Sequence, residues 1–332
     1  MKICFYSRLD AAWYFDLFDF YSNDIKILKE LGHDVIKVYK WREVPNDCDL
    51  YFIWWWSSGI IPIIKANRLK KPIISIGNIH YNDPSKGGYF QRPFYIRQFI
   101  KYSLKHSDVQ IATSQIELEG IIKLGAKNAI LIYHAIDGNK YIYNPPESRD
   151  NFLLTISLLT KPNIQRKKVR EIILAFKLII CKYPELELFI VGNKTDDGYP
   201  DLLKLVEENN LTNKVKFLGR VSDKEKIDLY QRCKLYVQPT SFEGFGMAIA
   251  ESMLCGAPVV TSCKGAVQEV VGDLAVYVNP DDINDIATGI LKLLDDKDLY
   301  NKMSREGSNR IQHKFSYEAR KSKIADLLSR YS

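Results

Sequence analysis

Short runs almost free of charge recur along the chain, separated by segments with helical spacing. This alternation limits the accessible folds more than any other feature. In the first half, Lys2–Tyr6, His33–Tyr39, Leu50–Trp55, Pro72–Ile76, Val109–Thr113 and Ala129–Tyr133 read as strands, and residues 23–31 and 94–105 read as helices. Uncharged runs of this length suit strands buried on both faces. Strands alternating with helices imply a parallel sheet covered on both sides. The second half repeats the pattern. Strands are expected over 152–156, 186–191, 215–218, 235–238 and 258–261, and helices over 169–182, 202–209, 224–232, 247–254 and 283–294. Between the halves, the stretch YNPPESRDN over residues 143–151 has two prolines and several charges, the composition of a linker. The expected architecture is therefore α/β, with two doubly wound, Rossmann-like domains facing across a cleft. The domains are placed at 1–145 and 146–314, with a C-terminal helix over about 315–332 packing back on the first. Ligands of such sheets bind at the carboxyl ends of the strands.

Composition narrows the function classes. Among 332 residues, 46% are apolar and 26% charged, which excludes a disordered chain, a collagen and a coiled coil. Six cysteines (4, 48, 181, 233, 255 and 263) are scattered without a CxxC pair. They form neither a disulfide framework nor a zinc pattern and read as buried thiols in a reducing cytoplasm. A net charge of +7 is too diffuse for a dedicated nucleic-acid binder, and no aromatic readout motif accompanies it. It does suit phosphate-bearing ligands or an anionic membrane surface. Arg8 and Asp10 interrupt the place where a signal peptide would be apolar. The longest uncharged stretch, Leu50 to Ile64, is too short for a spanning helix. The expected location is cytoplasmic, with a peripheral membrane contact offered by Arg97, Lys101 and Lys105, spaced four apart on one helical face.

The stretch from Leu235 to Ser262, LYVQPTSFEGFGMAIAESMLCGAPVVTS, carries the most chemistry. A strand ends at Pro239, a loop brings Glu243, Gly244, Phe245 and Gly246, and a helix then opens near Met247. A helix start presents unpaired backbone N–H groups and the positive end of the dipole, and glycines let a ligand approach closely. This is the makeup of a phosphate seat. Glu243 and Glu251 flank it. A phosphate repels a carboxylate, so these two suit hydroxyl groups, as on a sugar and a ribose.

The spacing of Glu243 and Glu251, with the residues around them, resembles the E-x7-E segment of the retaining glycosyltransferases of family 4, which have the GT-B fold. Leu31-Gly-His-Asp-Val35, His134-Ala-Ile-Asp137, Ile190-Val-Gly192, Phe217-Leu-Gly219, the run Gly265–Val270 and Phe315-Ser-Tyr-Glu318 resemble further landmarks of that family, in order. The resemblance covers the whole chain and is stronger after residue 150. It implies a hexose transfer from a nucleotide-diphosphate-sugar, UDP- or GDP-linked, to an acceptor hydroxyl on a glycan, lipid or small molecule. It implies retention of configuration and needs neither a metal nor a cofactor. By position, Glu251 would meet the ribose and Glu243 the transferred sugar. Gly244, Phe245 and Gly246 would face the sugar and phosphates, Arg220 and Val221 the base. Lys167 would grip the diphosphate, and His80, in Ile76-Gly-Asn-Ile-His80, would lie beside the reacting carbon. The family carries a second phosphate-gripping arginine in a turn that here reads Ser157-Leu158-Leu159; Arg166 and Lys161 are the candidates to replace it. The glycine-rich loop after the first strand is also replaced, by Arg8-Leu-Asp-Ala-Ala-Trp13.

Other features carry competing readings. Asp47-Cys-Asp49 has the form of a metal-binding D-x-D but sits in a turn-rich loop. The run Trp54-Trp55-Trp56 is either a buried strand end or a stacking platform. His33, His106, His134 and His313 are read as structural, and Arg166-Lys167-Lys168 as the basic start of the helix that follows. The alternatives to a transferase are a catalytically silent nucleotide-sugar-binding protein and a sugar-nucleotide epimerase of the same fold.

Overall fold

The computed structural model describes residues 1–83 and 87–331. The eleven expected strands form, with a twelfth of two residues that the sequence reading lacked (Val276–Tyr277), two sheets of six strands each, with every pairing parallel. The first holds β1 (Lys2–Tyr6), β2 (Asp34–Val38), β3 (Leu50–Trp54), β4 (Ile73–Ile76), β5 (Val109–Ala112) and β6 (Ala129–Leu131), in the order β2-β1-β3-β4-β5-β6. The second holds β7 (Phe152–Ile156), β8 (Glu187–Val191), β9 (Val215–Gly219), β10 (Leu235–Gln238), β11 (Val259–Thr261) and β12 (Val276–Tyr277), in the order β12-β11-β10-β7-β8-β9. All residues of β3, β4, β5 and β10 are buried, as expected of strands with both faces covered.

The chain divides into two units, Met1–Ala135 with Phe315–Ser332, and Ile136–Lys314. The division falls earlier than the expected boundary at 145/146, because the intervening segment is bonded into the second unit. There Asn144 N donates to Cys255 O at 3.1 Å, and Gln231 Nε2 donates to Ile142 O at 3.0 Å. Arg149 likewise donates from Nη1 to Tyr230 O at 3.0 Å and to Cys233 O at 2.9 Å. The C-terminal helix Tyr317–Leu328 is joined to the first unit by Arg320, whose Nε meets Asp24 Oδ1 at 2.6 Å in a fully buried pair. Helix Ile60–Arg68 has no counterpart in the sequence reading. Pro62 lies in its first turn, where a missing N–H costs nothing. Four of the six cysteines are buried; Cys181 and Cys263 are exposed, contrary to a uniformly buried set.

Strand order positions the chemistry. In the second sheet the chain runs outward from β7 to β9, then returns to the other side of β7 with β10. The order therefore reverses between β7 and β10, and the loops leaving those two strands diverge into a crevice. In the first sheet the equivalent reversal lies between β1 and β3.

Candidate functional site

In the second unit, the loops leaving β7 and β10 bring four predicted or neighbouring side chains into one network. β7 leads into helix Lys161–Lys167, so Arg166 and Lys167 close one helix rather than open the next. Lys168 then turns the chain in the left-handed region (φ 58°) before helix Val169–Ile179. Arg166 Nη1 donates to Glu243 Oε1 at 2.8 Å and to Phe242 O at 3.0 Å, and Nη2 donates to Asn163 Oδ1 at 2.9 Å. Lys167 Nζ donates to Ile156 O at 3.0 Å and to Gln238 Oε1 at 3.2 Å. Gln238 closes the circuit, donating from Nε2 to Glu243 Oε1 at 2.9 Å. The side chains of Arg166 and Glu243 are 19% and 13% exposed, a pair mostly removed from solvent yet still reachable. Burial pushes the Lys167 ammonium below its ordinary value; Glu243 opposes this, the Arg166 charge adds to it, and Glu251 opposes it more weakly.

Backbone shape holds Glu243 in place. Gly265 (φ +66°) passes so close that an added Cβ would stand 2.2 Å from Glu243 O, and Ala266 N donates to that carbonyl at 2.8 Å. Gly246 adopts φ 101° as helix Met247–Leu254 begins, and no side chain caps that helix start. Gly244, Phe245 and Gly246 are buried along the loop. Ser241 N also donates to Arg166 O at 2.7 Å, locking the two switch-point loops together.

Glu251 stands apart from this circuit, one face along the same helix. It is 5% exposed. Its Oε2 accepts from Tyr230 Oη at 3.1 Å and meets Lys226 Nζ at 3.5 Å. Burial first, then the Glu251 charge, raises the Tyr230 phenol well above its usual range, so it stays a hydrogen-bond donor. Arg220 and Val221 follow the end of β9, an edge strand, with Arg220 exposed. Lys161 is turned away, paired with Asp201 at 3.4 Å, so of the two candidates for the absent arginine only Arg166 reaches the network. The turn itself presents Leu158, 63% exposed.

In the first unit a cavity of about 310 Å³ opens beyond β3 and β4, lined by residues 55–58, Asn78, His80 and Arg92 among others. His80 has φ 54°, and its Nδ1 stands 3.7 Å from Asp83 Oδ2. A buried carboxylate from helix Gln115–Lys123 shapes this turn. Glu117 Oε2 accepts from Ile79 N at 2.7 Å and Oε1 from His80 N at 2.9 Å. Burial raises the Glu117 carboxyl above its ordinary value, chiefly against the pull of His80. The tryptophan run splits. Trp54 is fully buried; Trp55 and Trp56 both line the cavity, Trp56 only 2% exposed and Trp55 donating from Nε1 to Tyr21 Oη. Asp47 and Asp49 both meet Lys2: its Nζ pairs with Asp47 Oδ2 at 2.5 Å and its backbone N donates to Asp49 Oδ2 at 2.8 Å.

Sequence reasoning did not single out Gln238, Tyr230, Lys226 or Glu117. Lys226 and Tyr230 are four apart on helix Asp223–Arg232, a spacing that puts them on one face. Gln238 is the last residue of an apolar strand, and Glu117 is distant in sequence from the turn it organises.

Residues 146–310 match the family described as glycosyl transferases group 1, and they are a domain of that family. The chain is similar to the mannosylfructose-phosphate synthase of Agrobacterium fabrum, 24% identical over 82% of this chain and 67% of that protein. It is also similar to the O-antigen chain mannosyltransferase B of Escherichia coli, 35% identical over 40% of this chain and 34% of that protein, so it spans about a third of that relative. Among solved structures, the sucrose-phosphate synthase from Thermosynechococcus elongatus superposes with a TM-score of 0.80 at 19% identity, over 99% of this chain and 98% of that one. Anabaena HepE, solved in complex with UDP and glucose, superposes with a TM-score of 0.77 at 19% identity, over 99% of this chain and 100% of that one. The fold is GT-B.

Proposed function

We propose that this chain, with its glycosyl transferases group 1 domain over residues 146–310, is a retaining hexosyltransferase. The donor is a UDP- or GDP-linked sugar, the acceptor is a hydroxyl of a glycan, lipid or small molecule, and the reaction is metal-independent. The observation that carries this reading is the Arg166–Lys167–Gln238–Glu243 circuit at the strand-order reversal, beside a helix opening at Gly246.

Each role follows from charge. As the bond between the anomeric carbon and the diphosphate oxygen breaks, negative charge gathers on the diphosphate. Lys167, Arg166 and the N-terminal end of helix Met247–Leu254 offset it. Glu243, already an acceptor for Arg166 and Gln238, has further lone pairs for hydroxyls of the transferred sugar. Glu251, held by Tyr230 and Lys226, accepts from the ribose, and Arg220 and Val221 flank the base. His80 is assigned to sugar transfer rather than to nucleotide binding.

The test is a calorimetric screen of UDP, GDP, ADP and their sugar conjugates against wild type and Glu251→Ala. A nucleotide bound by wild type and weakened in the variant is the expected result. No binding by any of them overturns the reading, and binding without turnover turns it into the catalytically silent alternative. Activity that EDTA abolishes would overturn metal independence.

A further inference from the structure

We propose that the surface built by helices Ile60–Arg68 and Phe94–His106, with Phe90 just before the second, docks on an anionic lipid bilayer. The first observation is charge. Between Asp49 and Asp108 the sole acidic residue is Asp83, which is buried. Residues 60–106 contain nine lysines and arginines against that one aspartate, a net +8, whereas the whole chain, with 47 basic and 40 acidic residues, is only +7. The remainder has 38 basic and 39 acidic residues, so the positive excess of the chain resides in this stretch. Helices Ile60–Arg68 and Phe94–His106 meet there, and Asn67 Nδ2 donates to His106 O at 3.0 Å.

The second observation is apolar. Phe94, Gln98, Lys101 and Lys105 are exposed at i, i+4, i+7 and i+11, one stripe of the helix, while Ile100, Ser103 and Leu104 are buried on the other side. Phe94 is 68% exposed, Tyr95 58% and Phe90, just before the helix, 54%. Arg97 is not part of this stripe. It is half-buried, its guanidinium 5.9 Å from the Phe94 ring centre, which corrects the expected Arg97–Lys101–Lys105 face.

Three bare rings at one end of a helix and lysines along the rest match a bilayer interface. The rings enter the boundary between headgroups and acyl chains, and the lysine stems reach the phosphates. A nucleic acid would instead favour rings interleaved with cations along its track. Here about three helical turns separate Phe94 from Lys105.

The experiment is co-sedimentation of the full chain with phosphatidylcholine vesicles and with mixed phosphatidylcholine–phosphatidylglycerol vesicles. Binding to the mixed vesicles, weakened by salt, is expected. Lys101→Gln with Lys105→Gln should lower the partition on the order of 20-fold, since each lysine near an anionic surface is worth roughly fivefold. Phe94→Ser with Tyr95→Ser should also release the chain. All four side chains are exposed, so the melting temperature should not move in either double variant. Failure to bind mixed vesicles overturns the proposal, as does binding indifferent to both variants. If the aromatic variant binds vesicles like wild type and the chain binds single-stranded RNA as tightly, the surface is a polyanion site and not a membrane face.

Discussion

At the carboxyl edge of the second sheet, the segments after β7 and β10 carry two cations and a carboxylate in one network: Arg166 bonds Glu243 directly, and Lys167 reaches it through Gln238. At the same edge of the first sheet, the loops after β3 and β4 carry aromatic rings and a histidine in the left-handed region, and buried Glu117, on helix Gln115–Lys123 after β5, accepts from the main chain of the second of these loops. Both edges are strand ends of parallel sheets, yet their polar groups do different work. In the second unit charge meets charge, and the groups can exchange one another for a charged ligand. In the first unit Glu117 satisfies two main-chain donors and sets the path of the turn. Loss of the charged groups of the second edge should therefore appear in chemistry, and loss of Glu117 from the first in stability.

The sharpest test of that contrast is Lys167→Met. Losing a cation aimed at the leaving diphosphate should lower kcat by about 10²–10³, or about 2.7–4 kcal/mol, with little change in unfolding free energy. The ammonium is already depressed by burial. A diphosphate favours its protonated form, so nucleotide affinity should fall as pH rises through the depressed value, earlier than for a lysine at 10.5. The variant should lack that alkaline limb, as titration calorimetry between neutral and alkaline pH would show. Next is Glu117→Ala, which strands two buried N–H donors and should cost about 2–3 kcal/mol in denaturant unfolding. Burial raises the Glu117 carboxyl, so the folded state binds its proton more tightly than the unfolded chain. That contribution to stability is present below about 4.5 and is lost as pH rises through the raised value. Glu117→Gln should flatten this part of the pH–stability profile. If Lys167→Met unfolds the chain, or Glu117→Ala leaves its stability intact, the contrast between the edges fails.

Local features were legible in sequence and long-range ones were not. Glu243, Gly246 and Glu251 sit within one strand–loop–helix unit, so their spacing alone placed them around a helix start. All strands but one were readable, because strands buried on both faces exclude charge over several residues; the exception, β12, is only two residues long. Glu117 has no such signal: it meets the His80 turn across a long stretch of chain, and a lone glutamate in a helix looks solvated. Helix Ile60–Arg68 was hidden because its apolar residues continue the run begun by β3. Arg166 was readable as a cation but not as the partner of Glu243, since that pairing depends on β7 lying beside β10. The boundary at Ala135 escaped notice because prolines mark a stiff segment without saying to which body it is bonded.

The smallest expected effects probe Glu251 and its supports. Glu251→Ala removes the acceptor itself and should weaken nucleotide binding by about 1–3 kcal/mol. Tyr230→Phe removes only the donor 3.1 Å from Oε2 and leaves Lys226 at 3.5 Å, so the carboxylate stays but is less firmly aimed. The loss should be about 0.5–1.5 kcal/mol, a few-fold to tenfold in Kd. It should be confined to ligands with ribose hydroxyls. Calorimetry with a ribonucleotide and its 2′-deoxy analogue separates the cases. If Glu251 reads the hydroxyls and Tyr230 aims it, the preference for the ribonucleotide narrows in Tyr230→Phe and nearly vanishes in Glu251→Ala. If both nucleotides weaken equally in Tyr230→Phe, the phenol is a packing group, and the second edge would then include a side chain that acts, like Glu117 in the first, on structure alone.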